Sequence, residues 1–300
     1  MDLSFCLSND EKIYTVTSHE GYDSTGIKYT LPLLTFNSLD AIPFIRHCFT
    51  TRLGGRSEGI FSSLNLSSSR GDNAEYVKEN YKRIASALKC STNDFIFSKQ
   101  THTTNVMRIK KDTIANTMAN PCVCDNVDGL ITDVPGIVLT TFYADCVPLY
   151  FVDPVHKAIG LSHSGWRGTV NRMGSVTLEK MKEEFGTLPD RVICAIGPSI
   201  CGNCYEVGED VANNFQQEFS STPLLEVILE EKNNGKYLLN LWEANRAVLL
   251  DAGVPAKNIV VGNICTCCNS NILFSHRASQ GKRGNLGAFL GIKPDITKDI

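Results

Sequence analysis

The chain has 300 residues, and 29 lysines and arginines against 32 aspartates and glutamates leave a formal net charge of -3. A slightly acidic chain argues against a protein that binds a polyanion such as nucleic acid. With 42% hydrophobic, 8% aromatic and 20% charged residues, the composition is that of a globular protein and excludes a fibrous, low-complexity or largely disordered chain.

The start of the chain bears on its cellular location. Acids at Asp2, Asp10 and Glu11 leave no basic stretch ahead of an apolar one, so no signal peptide is predicted. The sequence has no run of the ~18 apolar residues that a membrane span needs. Twelve cysteines are too small a share of this length for a disulfide-built secreted scaffold. We therefore expect a cytoplasmic protein with mostly reduced thiols and no membrane partner.

The predicted elements begin with a helix that Asp72 or Asn73 caps and that continues through Cys90. Short β-branched or aromatic runs bounded by Pro, Gly or Asp then predict four closely spaced strands, at residues 136–143, 149–152, 158–162 and 192–196. Pro148 is expected to exclude a simple central strand through its position.

A helical stripe runs from Val170 to Phe185 and ends at Gly186. The remaining elements are predicted as a helix, a strand and a helix, at residues 207–219, 237–241 and 242–252. This alternation predicts an α/β protein of mixed α+β character. The strands between residues 137 and 163 are too close together for helical crossovers, so mixed sheets are expected. We predict a single domain over residues 45–300, with residues 1–44 as a segment packed on it.

Three strand ends carry residues that could bind a metal. His102 follows an apolar run, Cys146 follows the strand that begins near Gly136, and His163 ends the next strand but one. Two imidazoles and a thiolate suit zinc with a fourth position open to water, whose pKa the metal would lower. The spacing is not compact, however, and each residue taken alone is better explained as a core histidine or an inert cysteine.

Two further features allow more than one interpretation. Arg52 precedes Gly54-Gly55-Arg56, and Arg167 lies within Gly165–Gly168. Flexible backbone beside guanidinium groups suits an anion such as phosphate, but ordinary turns with solvated arginines are the favoured explanation of each segment taken alone. Cys201-x-x-Cys204 and the cluster Cys265–Cys268 hold enough thiols for a structural zinc site. Because they adjoin strand ends rather than zinc-knuckle turns, unpaired thiols or a local disulfide are favoured there.

Taken together, the motifs resemble those of the YfiH family, long labelled polyphenol oxidase or laccase domain-containing. The matching segments, in chain order, are Cys48–Ser57, Ser63–Leu66, Gln100–His102, Val127–Thr132, Ala144–Pro148, His163–Thr169, Ile196–Ile200, Cys265–Thr266 and Phe274–Arg277. The chain departs from the family pattern at Ser164, where alanine is usual, and at Gly281–Gly284, where the family has Thr-Gly-Arg.

The resemblance implies a single α/β domain with mixed sheets and a zinc ion bound by His102, Cys146 and His163. It also implies a purine nucleoside phosphorylase with adenosine deaminase activity, acting on nucleosides such as adenosine, inosine, guanosine and methylthioadenosine together with inorganic phosphate. The protein is expected to be a monomer or a homodimer.

Roles for further residues follow from these two reactions. Arg52 and Arg167 are predicted to bind phosphate, while Asn65 and Gln100, which lie in matching motifs, are predicted to contact substrate. Deamination needs a carboxylate that shuttles protons, for which Asp145 and Glu206 are rival candidates. Strand alternation would point Asp145 away from the metal.

Other functional classes remain as alternatives. A multicopper oxidase needs many imidazoles, usually in His-x-His pairs, and the six histidines here form no such pair. A single redox copper in the three-ligand site would give a laccase-like polyphenol oxidase, and copper could also replace zinc in vitro. Two further alternatives are a cysteine hydrolase with Cys146 as nucleophile and His163 as base, and a non-enzymatic zinc-stabilised binding protein.

Overall fold

The computed structural model describes residues 3, 5–7, 13–23, 25–111 and 122–294. The strands in this part of the chain are β1 Tyr14–Tyr22, β2 Lys28–Phe36, β3 Ile45–Thr50, β4 Phe95–Lys99, β5 Val106–Arg108, β6 Cys122–Asp125, β7 Gly129–Thr132, β8 Val138–Tyr143, β9 Val147–Asp153, β10 Ala158–Ser164, β11 Ile193–Ile196, β12 Glu206–Val207, β13 Leu229–Glu231, β14 Tyr237–Leu239, β15 Ile259–Val261 and β16 Leu286–Ile292. The α-helices are α1 Asn37–Asp40, α2 Ala74–Leu88, α3 Trp166–Val170, α4 Met173–Phe185, α5 Glu209–Glu218, α6 Leu225–Ile228 and α7 Leu241–Asp251.

The strands form two large sheets and one small sheet. The first has seven strands in the order β1-β2-β3-β16-β8-β4-β6, and the second has six in the order β15-β11-β9-β10-β7-β5. Strands β12, β14 and β13 make the small sheet. Both large sheets are mixed. Strand β4 pairs parallel with β8 and β11 pairs parallel with β15, whereas β16 pairs antiparallel with β8 and β10 pairs antiparallel with β9. The predicted mixed α/β class is confirmed.

The two large sheets pack on each other, and helices cover their outer faces. Alternate residues of β9 show this, because Tyr150 and Val152 join the core between the sheets whereas Leu149 and Phe151 face a second core with the helices. Helices α4 and α7 contribute to that second core. Helix α2 closes the outer face of the seven-stranded sheet through Ile84 and Ala85. The protein therefore has four layers, in the order helices, sheet, sheet, helices.

The predicted elements from Asn73 to Ala252 are present, with two differences. Contrary to expectation, strand β9 includes Pro148. The strand tolerates this proline because it is the second residue of β9 and precedes the residues that pair with β11. The Pro148 carbonyl accepts a hydrogen bond from the Gly197 N–H. The predicted helix over residues 170–185 is divided into α3 and α4. Arg172, between them, has a φ of 57°, which interrupts the helix.

The N-terminal strands belong to the seven-stranded sheet. Strand β2 pairs with β3 through Leu33 and Leu34, so hydrogen bonds cross the boundary predicted at residue 44. That boundary stays a prediction. None of the helices in the described ranges is both long and apolar enough to cross a membrane.

A buried ion pair fastens the turn between β1 and β2 to helix α2. One oxygen of Asp23 accepts hydrogen bonds from the backbone N–H groups of Thr25 and Ile27 and from the Thr25 hydroxyl. The other lies 3.2 Å from Arg83, whose side chain is only 3% exposed. Hydrogen bonds from the Thr25 hydroxyl and the Ile27 N–H lower the pKa of Asp23 to about 2.

We expect Asp23→Asn to destabilise the protein at neutral pH, because it removes the closer of the two carboxylates that pair with buried Arg83 and leaves only Glu79, at 3.5 Å. A carboxyl group whose pKa is lowered on folding stabilises the fold at pH values above its pKa in the unfolded chain, which is about 3.9 for Asp. This contribution is lost as the pH falls through the pKa of Asp23 in the folded protein, about 2. Melting temperatures measured from pH 7 to pH 2 should therefore converge for wild type and variant. Glu20→Gln, which removes an exposed ion pair with Lys28, is the control and should have little effect. A difference that stays constant over this range would contradict the role of Asp23.

Candidate metal centre and active site

Cys146 lies where the chain passes from one large sheet to the other. Strand β8 ends at Tyr143 in the seven-stranded sheet, and β9 starts at Val147 in the six-stranded sheet. Only three residues make this connection, and Asp145 within it has a φ of 90°. A crossing between packed sheets therefore places the thiol at the edge of the core.

Asp128 organises the two histidines. Its carboxylate is fully buried and accepts a 2.8 Å hydrogen bond from Nδ1 of His163. The same carboxylate accepts hydrogen bonds from the backbone N–H groups of Thr101, His102 and Thr103, at 2.9–3.0 Å. These bonds hold the loop after β4, in which His102 has a φ of 64°. One side chain thus positions both imidazoles.

The predicted metal ligands come together in space. One ligand atom from each of His102, Cys146 and His163 lies within 4.8 Å of the other two. The Cys146 sulfur is 3.9 Å from Nε2 of His102, and the two imidazole rings meet edge to face at 4.9 Å. Gly165 makes room for them, since a Cβ there would lie 3.1 Å from both the Cys146 sulfur and the His102 ring.

The charges of the site favour the ligand form of the cysteine. Burial raises the pKa of the Cys146 thiol, but the charge of His163 and hydrogen bonds with both imidazoles outweigh burial and lower it to about 6. Burial likewise raises the pKa of Asp128, but hydrogen bonds from His163, Thr103 and Thr101 hold it well below its usual range. A thiolate and an ionised carboxylate behind the imidazole are thus present at neutral pH.

This donor set fits zinc. Two imidazole nitrogens and one thiolate are usual zinc ligands, and three protein ligands leave a position open. Because Nδ1 of His163 is occupied by Asp128, its Nε2 is left to face Cys146, and a carboxylate behind a ligating histidine is the common arrangement in zinc proteins. The structure thus unites the ligand set that its motifs implied, and the identity of the metal remains a prediction.

Arginines lie next to this centre. His276, which adjoins Arg277, is influenced by the charges of Arg70, Arg277, Arg283 and Asp145, in addition to the burial that lowers its pKa. Burial and then Arg70 lower the pKa of Arg283 to about 10, against the opposing effects of Asp145 and Cys146. We call Arg70, Arg277 and Arg283 the arginine cluster. Arg277 bonds to Asp145, next to Cys146, and Arg283 is influenced by the charges of both residues, so positive charge lies beside the metal centre.

The predicted phosphate ligands occupy different places. Arg52 lines a cavity of about 170 Å³ together with Arg283 and Lys282, and its guanidinium stacks on Phe274 at 4.5 Å. Its nitrogens also donate to the carbonyls of Ser62 and Ser270. Arg167 follows Gly165 by two residues, and its guanidinium stacks on the adjoining Trp166 at 4.2 Å. The two arginines therefore do not form one tight pair.

Asn65 and Gln100 are engaged with the protein itself. The buried amide of Asn65 bonds to Ser67, Asp72 and Asn285. The Gln100 amide makes two hydrogen bonds of 2.8 Å with the backbone of Phe142. Both residues hold loops beside the site, and substrate contact by either stays a prediction.

The rival carboxylates also have protein partners. Asp145 accepts 2.7 Å hydrogen bonds from the Thr266 hydroxyl and from the Arg277 N–H. Glu206 forms a 2.7 Å ion pair with Lys232. Asp145 is next to the ligand Cys146, but both of its oxygens are tied to the segment 266–277. The choice between the two as a proton shuttle stays open.

Sequence analysis missed three residues of the site. Asp128 lies in a matching motif but received no role, because its partners are distant in the chain. Arg283 lies where the chain departs from the family pattern. Tyr205 is half-buried close to Cys146, and its partial burial, followed by the Cys146 sulfur, raises its pKa to about 12. The only feature of the sequence that pointed to Tyr205 was its position next to the candidate Glu206.

Comparison with known proteins agrees with this geometry. The family described as multi-copper polyphenol oxidoreductase laccase matches residues 46–293. A solved structure of a YfiH protein from Bacillus licheniformis superposes with a TM-score of 0.80 at 32% identity, covering 87% of this chain and 96% of that one. The chain belongs to the YfiH family.

Two curated relatives carry enzyme names. A purine nucleoside phosphorylase of Bacteroides thetaiotaomicron is 37% identical over 255 residues, which cover 85% of this chain and 94% of the relative. Adenosine deaminase RL5, from an unknown prokaryotic organism, is 36% identical over 229 residues, covering 76% of this chain and 86% of the relative. The prediction of family membership is confirmed, and so is the prediction that the chain is an enzyme.

We expect Asp128→Asn to weaken metal binding by about 10- to 100-fold, as loss of a partner behind a ligating histidine commonly does. The amide also cannot accept from all the N–H groups of the loop at Thr101–Thr103. Competition with a chelator, followed by metal analysis, measures the change. Asp125→Asn, an exposed residue paired with Lys99, is the matched control. Unaltered metal retention in Asp128→Asn would show that the carboxylate does not support the ligands.

Proposed function

We propose that this chain is a zinc-dependent purine nucleoside phosphorylase that also deaminates adenosine. The observation that carries the proposal is the open three-ligand cluster of His102, Cys146 and His163 with the arginine cluster beside it. The names of the relatives support the two reactions, which need a purine nucleoside and, for phosphorolysis, inorganic phosphate.

In phosphorolysis, phosphate attacks C1′ of the ribose, the bond to the purine breaks, and the products are the free base and ribose 1-phosphate. Guanidinium groups hold the dianion against the sugar and neutralise its charge. We propose Arg167 for this role beside the metal centre, and Arg52 with Arg283 at the neighbouring cavity. Among the described residues, Nε of Arg283 is buried without a hydrogen-bond partner, which leaves a donor for an anion.

In deamination, zinc, when bound, supplies Lewis-acid activation of water. The chain's own residues orient the purine and move protons. Asp145 is the first candidate for the shuttle because it adjoins Cys146, and its bonds to Thr266 and the Arg277 N–H fix its position. Tyr205, half-buried near Cys146, offers an aromatic surface and a hydroxyl to a purine. A cytoplasmic location, where nucleosides and phosphate are present, is part of this proposal.

The geometry bears on the alternatives as well. A multinuclear copper cluster needs many imidazoles, but only His102 and His163 group together in the described part of the chain, while His156 pairs with Asp153 and His47 bonds to the Phe36 N–H. A cysteine hydrolase would need one base for Cys146, whereas two imidazoles converge on its sulfur. Metal bound by all three residues excludes that mechanism.

We expect the purified protein, given adenosine or inosine with phosphate, to release free base and ribose 1-phosphate without consuming oxygen and without added copper. Adenosine without phosphate should yield some inosine. Chromatography of the products and an oxygen electrode measure both reactions. Cys146→Ser should lose the metal of this site and both activities together while keeping its circular dichroism, because an open site contributes little folding energy. Copper-dependent oxygen uptake on phenols without any base release would favour the oxidase instead.

We expect Arg167→Ala and Arg52→Ala to raise the KM for phosphate by about 10-fold or more, since a hydrogen bond to a charged group contributes about 1.5–3 kcal/mol. Deamination without phosphate should change far less. Exposed Arg191→Ala serves as the control. Equal losses in both reactions would mean that the arginines bind the nucleoside or hold the fold.

A further inference from the structure

A second group of thiols lies outside the site described above. Cys201, Cys204, Cys265 and Cys268 place their sulfurs within 4.8 Å of one another, although the two pairs are more than sixty positions apart in the chain. Sequence analysis favoured unpaired thiols or a local disulfide here. The structure shows free thiols, in agreement with the first of these, and gathers the four around one point. We propose that these four cysteines bind a structural zinc ion.

The spacing of the sulfurs suits a single ion. Four zinc–sulfur bonds of about 2.3 Å in a tetrahedron place the sulfurs about 3.8 Å apart. The Cys204 and Cys268 sulfurs are 3.4 Å apart, so a small outward movement would accommodate the ion. A disulfide would instead need a bond of about 2.05 Å and would leave the other two thiols unused.

Each pair has the C-x-x-C spacing that is typical of zinc ligands. Cys201 is the N-cap of a 3-10 helix, Gly202–Cys204, and Cys204 is the last residue of that helix. Cys265 and Cys268 bracket a turn in which the Asn269 N–H donates to the Cys265 carbonyl. The segments meet through a parallel bridge between Ser199 and Cys265. Folding therefore brings two short zinc-binding turns face to face.

Backbone N–H groups already point at a ligand sulfur. The Cys265 sulfur accepts hydrogen bonds from the N–H of Cys201 at 3.2 Å and from the N–H of Cys268 at 3.4 Å. Such bonds stabilise a thiolate and fix its direction, as in the outer shell of metal sites. Cys201 and Cys265 are buried, while Cys268 is exposed, which leaves a path for the ion to enter.

Four protein ligands complete the coordination of zinc, so this ion would be structural and not catalytic. Its effect reaches the active site through the residues between the ligands. Thr266, inside the second pair, donates to Asp145, and Arg277 donates to the carbonyl of Glu206 and stacks on Tyr205. The ion would thus tie together two segments that form one wall of the metal centre.

The test uses the full chain purified without added metal. We expect Cys268→Ser and Cys204→Ser each to contain about one zinc per chain less than wild type, since one ion needs all four thiolates. Cys267→Ser is the matched control, because this neighbour is outside the group and should keep the wild-type zinc content. Measuring the difference between variants separates this site from the one at Cys146, whatever metal that site holds.

Two further measurements keep the test valid if a serine variant folds poorly. Cys268→His should retain the ion, because imidazole can replace a thiolate in a four-ligand zinc site. Cobalt loaded into wild type and Cys267→Ser should show the intense sulfur-to-metal absorption of a tetrathiolate site, which Cys268→Ser should lack. The proposal is overturned by equal zinc contents in wild type and Cys268→Ser, by iron in place of zinc, or by a Cys204–Cys268 disulfide found in protein kept under reducing conditions.

Discussion

The buried carboxylate of Asp128 is the interaction on which the metal centre depends. It receives Nδ1–H of His163 from strand β10 and the backbone N–H groups of the loop that carries His102. A buried carboxylate without partners would be strongly destabilising, so these donors and the carboxylate require one another. The bonds turn one nitrogen of His163 away from the site and the other toward Cys146. Protein hydrogen bonds therefore hold His163 and the loop that carries His102 at the candidate metal site.

The third ligand depends on the packing of two sheets. The chain leaves the seven-stranded sheet at Tyr143 and enters the six-stranded sheet at Val147, and the three residues between leave little freedom to Cys146. Gly165, the residue before helix α3, admits the sulfur and the His102 ring because it has no side chain. A rigid core thus presents an open metal position next to the arginine cluster, which suits chemistry on an anionic co-substrate.

The two candidate metal sites differ in the number of their protein ligands, and this difference predicts different roles. The site at Cys146 would have three protein ligands and keep a position for chemistry, whereas the site at Cys201 and Cys265 would have four and be closed. Thr266 and Arg277 connect the second site to Asp145. With zinc bound there, the position of a catalytic carboxylate candidate would depend on a metal that takes no part in the reaction.

The sequence by itself determined the class of fold and most elements, because hydrophobic periodicity and punctuation by glycine and proline are local signals. It also indicated His102, Cys146 and His163, although only through the joint occurrence of several motifs. Tertiary structure decided what depends on contacts between distant segments. The support by Asp128, the strand through Pro148 and the meeting of Cys201 with Cys265 are of this kind. No local pattern states which turns will face each other, since that is set by how the sheets pack.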